Sequence, residues 1–305
     1  MPRLFVATVG QGLFRSDDLG ARWTREPCLP ASARLYSLCA APGELLVGGD
    51  GRVYRYCERA WSELALPAPD TQVWALAAMD GVMLAGTRPL GLFRSDDGGC
   101  RWEPLPFALL SDLPQSQVRR LSALLPNPWV PGELWAGAEA GGVFASVDGG
   151  GTWSVANEQL PSLDVHALAW SSGGMLLAAT PSGVALWRSA QWIEGAFRCA
   201  DHYCRALASR PDDPSTLYCG FGDGLPGTRG GIAVSADGGR SWRPSGGVPG
   251  ADSTIWSVAT AAAAPGLVLA CSISGTVLVS RDGCASATPV LTTGCETPAV
   301  ACLSE

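Results

Sequence analysis

The chain has 305 residues and a net charge of −7, and all 21 of its basic residues are arginines. An acidic surface repels phosphate backbones, which argues against nucleic acid as a partner. With 47% hydrophobic and 16% charged residues, 38 glycines and 23 prolines, the chain has apolar material for a large core and is not disordered.

The N-terminus, "MPRLFVATVG", lacks the long apolar stretch of a signal peptide and reads at once as a strand over 4–8. It leads into "GLFRSDDLGARW" at 12–23. The same sequence of elements then recurs: a "V-x-A-L" strand, an "LLVGG" strand, a "GLFRS" strand, a turn, and a last strand opened by tryptophan. The first two segments fall at 35–38 and 45–49, 73–76 and 83–87, 118–121 and 134–138, 165–168 and 175–180, 204–207 and 217–222, and 255–258 and 267–272. The phrase itself follows as "GRVYRYCERAW" (51–61), "GLFRSDDGGCRW" (91–102), "GVFASVDGGGTW" (142–153), "GVALWRSAQW" (183–192), "GIAVSADGGRSW" (231–242) and "GTVLVSRDGCAS" (275–286). The tryptophans at 23, 61, 102, 153, 192 and 242 recur every 38 to 51 residues, a period suited to a propeller blade.

The chain begins on a second-type strand and ends, in "PAVACLSE", on a spare first-type strand. A closed ring explains both ends, since the last strand completes the first blade and removes exposed sheet edges. The expected fold is therefore all-β: a seven-bladed β-propeller of four-stranded antiparallel blades forming a single domain over 1–305. The blades fall near 1–28 plus 298–305, 34–66, 72–107, 117–158, 164–195, 203–246 and 253–292. Residues 257–279 carry no charge and mimic a membrane span, but Pro265-Gly266 and Gly275 interrupt them, so no membrane is expected. Eleven cysteines without regular spacing and without an export signal read as reduced thiols in the cytoplasm.

Four copies carry S-x-D-x-G-x-x-W through Ser16, Asp18, Gly20 and Trp23; Ser95, Asp97, Gly99 and Trp102; Ser146, Asp148, Gly150 and Trp153; and Ser235, Asp237, Gly239 and Trp242. The phrase resembles the Asp-box, or BNR repeat, of sialidases, other glycoside hydrolases, sortilin-type receptors and photosystem-assembly propellers. Locally, Ser and Asp side chains accept backbone N–H groups in a tight turn, glycine takes a positive φ, and tryptophan anchors the turn. No copy ends in the bidentate Glu of an EF-hand, so the turns read as fasteners rather than Ca²⁺ loops. The resemblance implies that they lie away from the ligand-binding face, which moves the search to the opposite one.

Scaffold positions repeat, so the positions that differ are the candidates. The second residue of each "V-x-A-L" strand reads Tyr36, Trp74, Arg119, His166, Arg205, Trp256 and, in the closing strand, Ala301. Two arginines, a histidine and three aromatics are not what an apolar core would choose. Arginines bind carboxylate or phosphate, and Trp and Tyr offer flat faces. Two insertions border the same face. "RCADHYCRAL" (198–207) holds Asp201 and His202, and its Cys199, His202 and Cys204 lack the second half of a zinc motif, so no metal site is expected. "GFGDGLPGTRGG" (220–231) carries Asp223 and Arg229 on a flap without the phosphate-loop pattern. A third connection, 104–117, reads as a short helix over the mouth.

No cofactor motif is present. The function expected first is a funnel that binds a small anionic or aromatic ligand or a protein partner through Tyr36, Trp74, Arg119, His166, Arg205, Trp256 and Arg229. The alternative is a hydrolase or lyase for a glycan or other anionic molecule. Its acid–base candidates are His166 with Asp164, His202 with Asp201, Asp223, or a carboxylate pair drawn from Asp70, Asp112, Glu139, Asp223 and Asp252. An Arg-Ile-Pro segment, which a sialidase would carry, is absent. An assembly-factor role ranks last, because the arginines are scattered in sequence.

Overall fold

The computed structural model describes residues 1–107, 120–195, 197, 203–248 and 250–304. They form seven four-stranded antiparallel sheets arranged as the blades of a propeller. Blade 1 joins Ala299–Leu303 to Arg3–Ala7, Leu13–Ser16 and Thr24–Arg25, so the two chain ends share one sheet in the register Leu4↔Cys302 and Val6↔Val300. Blades 2 to 7 open on Leu35–Ala41, Gln72–Met79, Leu121–Pro126, Ala167–Trp170, Tyr203–Arg210 and Ile255–Ala261. The uncharged run 257–279 becomes parts of three blade 7 strands, and among the described residues no helix is long and apolar enough to cross a membrane.

Core packing runs between neighbouring blades. One buried cluster joins Leu4, Val6 and Val300 of blade 1 to Leu269, Val277 and Val279 of blade 7, so the closing strand is glued on both sides. At about 0.8 kcal/mol per buried methylene, such a cluster makes an open ring unfavourable.

The serine–aspartate turns have one repeated geometry. Gly20, Gly99, Gly150 and Gly239 donate their N–H to the hydroxyls of Ser16, Ser95, Ser146 and Ser235 at 2.8–2.9 Å. Each of these serines donates in turn to the aspartate two residues on, whose Oδ1 also receives the N–H four residues further along, from Arg22, Arg101, Thr152 or Ser241. Blade 7, which looks eroded in sequence, keeps the whole network through Ser280, Asp282, Cys284 and Ser286; Cys284 takes the left-handed position at φ 69°. What has changed is the glycine, replaced by Cys284, and the tryptophan, replaced by Ala287. Blades 2 and 5 have dropped the box for two-residue turns, Glu58-Arg59 and Ser189-Ala190, with both φ angles positive as right-twisted hairpins favour.

The inner strands carry the feature that builds the site. In blades 2, 3, 4, 6 and 7 the pairing of first and second strands slips by one residue, between Leu35/Ser37, Val73/Ala75, Leu121/Ala123, Cys204/Ala206 and Ile255/Ser257. A bulge leaves its extra residue out of the ladder and re-aims its side chain. The skipped residues are Tyr36, Trp74, Ser122, Arg205 and Trp256.

This register corrects the sequence phase in blade 4. The inner strand is Leu121–Pro126, so the repeat there is Leu121-Ser122-Ala123-Leu124 rather than 118–121. Arg119, Asp201, His202, Cys199 and Asp112, together with the short helix expected from 104–117 beyond Phe107, lie outside the described residues.

Candidate functional site

Where the inner strands begin, the channel holds a chamber of about 170 Å³ lined by Tyr36, Trp74, Arg120, His166, Arg205 and Trp256 among others. Above it opens a vestibule of about 460 Å³ that shares Tyr36, Trp74, Arg120 and Trp256 and adds Arg34, Arg88 and Leu225. Five of the six ring residues expected from sequence thus meet in one space; Arg119 lies outside the described residues, its repeat position falls to Ser122, and Arg120 supplies the guanidinium. In blade 1 the chamber is faced by Pro298 and Ala299, whereas Ala301 belongs to the core between blades 1 and 2.

Arg120 and Arg205 form the centre. They are 8% and 6% exposed, and buried guanidiniums need partners. Each sits over a tryptophan ring: Arg120 Cζ is 3.8 Å from the Trp74 ring centroid and Arg205 Cζ is 3.7 Å from that of Trp256. Both direct an Nη2 at the same atom, Oε1 of Glu139, at 2.5 and 2.6 Å. Glu139 follows the blade 4 strand Leu134–Ala138, and its backbone N–H donates to the carbonyl of Arg120 at 3.1 Å, which sets the carboxylate between blades 4 and 6. Burial raises the Glu139 pKa, but the two arginine charges outweigh it and hold the carboxyl below its usual range. Burial lowers the Arg120 pKa, and the charge of Arg205 beside it adds to that fall.

The aromatic wall is fixed by a polar relay. Trp74 Nε1 donates to Gln72 Oε1, Gln72 Nε2 donates to the Tyr36 hydroxyl, and that hydroxyl donates to Asp50 Oδ1, at 3.0, 3.0 and 2.8 Å. Burial, and then Asp50, push the Tyr36 pKa up to about 12. Its ring lies 4.9 Å from that of Trp74.

His166 enters from blade 5, 5% exposed, with its ring 4.9 Å from that of Tyr203. Its Nδ1 is 2.7 Å from the Cys204 carbonyl oxygen, an atom that can only accept. Nε2 lies 3.3 Å from Asp164 Oδ2, out of hydrogen-bond alignment. Burial, and then the charge of Arg205, lower the His166 pKa. Burial raises the Asp164 pKa, but contact with His166 brings it below its ordinary value.

The remaining expected residues serve other ends. Asp223 accepts the N–H groups of Thr228 and Arg229 and the hydroxyl of Thr228, which ties the flap to itself. Hydrogen bonds from Thr228 hold its pKa down to about 2. Arg229 pairs with Asp223 at 3.7 Å and does not line the chamber or the vestibule; the flap's contribution there is Leu225 and Pro226. Asp252 accepts from the hydroxyls of Ser272 and Thr276, and Asp70 is exposed. Arg120 is the residue that the sequence phase concealed: with "LSAL" matched to "VWAL", it stands one place before the repeat, where Gln72 stands in blade 3.

No family model and no curated protein matches the chain. Solved structures do. YCF48 bound to D1 peptide is 18% identical, with a TM-score of 0.59 over 86% of this chain and 83% of that one. YCF48 from Cyanidioschyzon merolae is 16% identical, with a TM-score of 0.61 over 86% of both chains. A GH74 enzyme from Niastella koreensis is 13% identical, with a TM-score of 0.59 over 97% of this chain and 66% of that one. At such identities the likeness is one of fold, and it agrees with the strand order: the chain is a seven-bladed β-propeller.

Proposed function

We propose that the chain is a binding propeller whose funnel mouth receives an anionic group, a carboxylate carried by a small ligand or a peptide partner. One observation carries the reading: Arg120 and Arg205, stacked on Trp74 and Trp256, converge on a single carboxylate oxygen. Stacking fixes both guanidiniums before any ligand arrives, so little side-chain entropy remains to be lost. In this reading Glu139 holds the place of the ligand carboxylate. YCF48, a structure of the same fold, is bound to a peptide, which supports a peptide as one class of ligand. The five serine–aspartate turns support assignment of the repeat to the Asp-box type, with binding on the face away from them.

The hydrolase alternative requires one carboxyl that keeps a proton beside one that does not. Glu139, gripped by two guanidiniums, is suited to neither acid nor nucleophile work, and this favours binding over catalysis.

The test is calorimetric titration with an acidic peptide ending in a free carboxylate and with its amidated twin. Arg120→Ala and Arg205→Ala should each weaken the free-acid peptide at least about tenfold, the equivalent of about 1.4 kcal/mol, and the amidated peptide should bind less well than its twin. Equal binding of both peptides, or undiminished binding by both variants, would defeat the reading.

A further inference from the structure

Anion binding leaves one arrangement at the mouth unexplained. The Nδ1 of His166 faces a carbonyl oxygen, so it carries the ring proton and donates it at 2.7 Å. In the neutral ring Nε2 is then a bare lone pair. It is buried without a hydrogen-bond partner, and it faces two carboxylates. A lone pair set against carboxylate oxygens is repulsive, and a proton on Nε2 or a metal ion between the three groups removes that repulsion.

We propose that His166 Nε2, Asp164 and Glu139 form a binding site for a divalent transition-metal ion of the Zn²⁺ class. Their donor atoms all lie within 4.8 Å of one another. The closest pair, Nε2 and Asp164 Oδ2, is 3.3 Å apart. Two ligands at about 2.0–2.1 Å from a tetrahedral ion stand about 3.3 Å apart, so this pair already has the spacing that zinc requires. The contact between Nδ1 and the Cys204 carbonyl is the outer support that metal-bound histidines use to fix their tautomer. A mixed nitrogen and oxygen set suits Zn²⁺ or Co²⁺ better than Ca²⁺ or Mg²⁺, which take oxygen ligands.

Neighbouring charge does not forbid the ion. Two guanidiniums and two carboxylates cancel when the imidazole is neutral, and both guanidiniums hold Oε1 of Glu139, which leaves Oε2 to turn towards the metal. The loaded site then carries two positive charges, and an anion that takes the place of Glu139 on Arg120 and Arg205 offsets them and frees that carboxylate for the metal. Metal and anion should therefore strengthen each other, by the same factor in both directions.

The experiment titrates the full chain with Zn²⁺ by calorimetry, after its exposed thiols have been alkylated, and uses Co²⁺ absorption to read the ligand type. One ion per chain is expected, with a Co²⁺ spectrum free of thiolate charge transfer. Asp164→Asn, at the more exposed ligand, and His166→Gln should each weaken Zn²⁺ by at least about tenfold. If the buried histidine variant does not fold, Asp164→Asn decides alone. No Zn²⁺ binding by the parent chain, or equal affinity in the Asp164 variant, overturns the site. Loss of peptide binding in the arginine variants leaves it standing, so the two readings fail separately.

Discussion

Glu139→Gln tests the centre of the site with the smallest change of shape. The carboxylate meets two guanidiniums through one oxygen, at 2.5 and 2.6 Å. With charge centres about 4 Å apart and an effective dielectric near 20, each pair is worth about 4 kcal/mol of attraction, much of which is cancelled by the cost of burying the charges. Removing one partner of a buried ion pair costs about 3–5 kcal/mol, because the stranded charge remains desolvated. Glu139 is 24% exposed at its side chain, and the vestibule lets water reach the arginines, so the expected loss is reduced to about 2–4 kcal/mol. For a chain of this size that lowers Tm by about 3–6 °C. The same variant exposes both guanidiniums to external anions. Sulfate at a hundred times its Kd would restore about 2.7 kcal/mol, so added sulfate should raise the Tm of the variant more than that of the parent. Calorimetry with and without sulfate reads both effects. A variant as stable as the parent, or one that sulfate does not rescue preferentially, would show that the two arginines are not held as an anion site.

Two further outcomes concern the scaffold. Ser95→Ala removes the hydroxyl that receives the Gly99 N–H at 2.8 Å and strands that buried donor, so it should cost about 1–3 kcal/mol by denaturant unfolding, whereas a loss below the error of the method would deny the turn its structural role. Acid should also loosen the turns. Asp18, Asp97, Asp148 and Asp282 have pKa values below the ordinary aspartate value, chiefly through hydrogen bonds from the backbone N–H of the residue four places on and from nearby hydroxyls, with burial opposing them; Asp148 falls to about 2. At Asp237 burial is the largest influence and raises the pKa, but the same hydrogen bonds together bring it below the ordinary value. A carboxyl depressed on folding stabilises above its unfolded pKa, near 4, and that contribution is lost as pH falls towards the folded value. Tm measured between about pH 5 and 2 should drop across this window and drop less in Asp148→Asn; an identical profile in the variant would refute the linkage.

The fold was legible because its signals are local and repeated. The seven copies of the phrase count the blades, six of them marked by a tryptophan, and a spare "AVACL" strand at the end matched to "LFVA" at the start gives the closure seen in the pairing of Leu4 with Cys302. The site was half legible. Tyr36, Trp74, His166, Arg205 and Trp256 stand out because each breaks a pattern of small and apolar residues. Arg120 escaped because "VRRL" at 118–121 has apolar ends and passes for the motif, while the true copy, "LSAL", carries a plain serine at the position that differs. The pairing of Glu139 with Arg205 could not be read at all: it joins blade 4 to blade 6, and no local pattern records a contact across the channel. In blade 7 the Ser280–Asp282 turn outlives its tryptophan, since its hydrogen bonds are local and need no anchor from the neighbouring sheet.

The bulges connect that scaffold to the site. In a regular ladder the second residue of an inner strand would be bound to the sheet's pleat, and its size would be limited by packing against neighbouring blades. Slipping the register by one residue releases that position from the ladder, so an arginine or a tryptophan can stand there without disturbing the core. The bulged positions supply tyrosine from blade 2, tryptophan from blades 3 and 7 and arginine from blade 6, while His166 of blade 5 and Arg120 and Glu139 of blade 4 join them from strand ends outside the bulges. These groups meet only because the ring is closed, since the platform for Arg205 comes from blade 7, the sheet that packs against the closing strand. Ring closure therefore sets the distance between the two stacked guanidiniums, and with it the width of the anion that the mouth can hold.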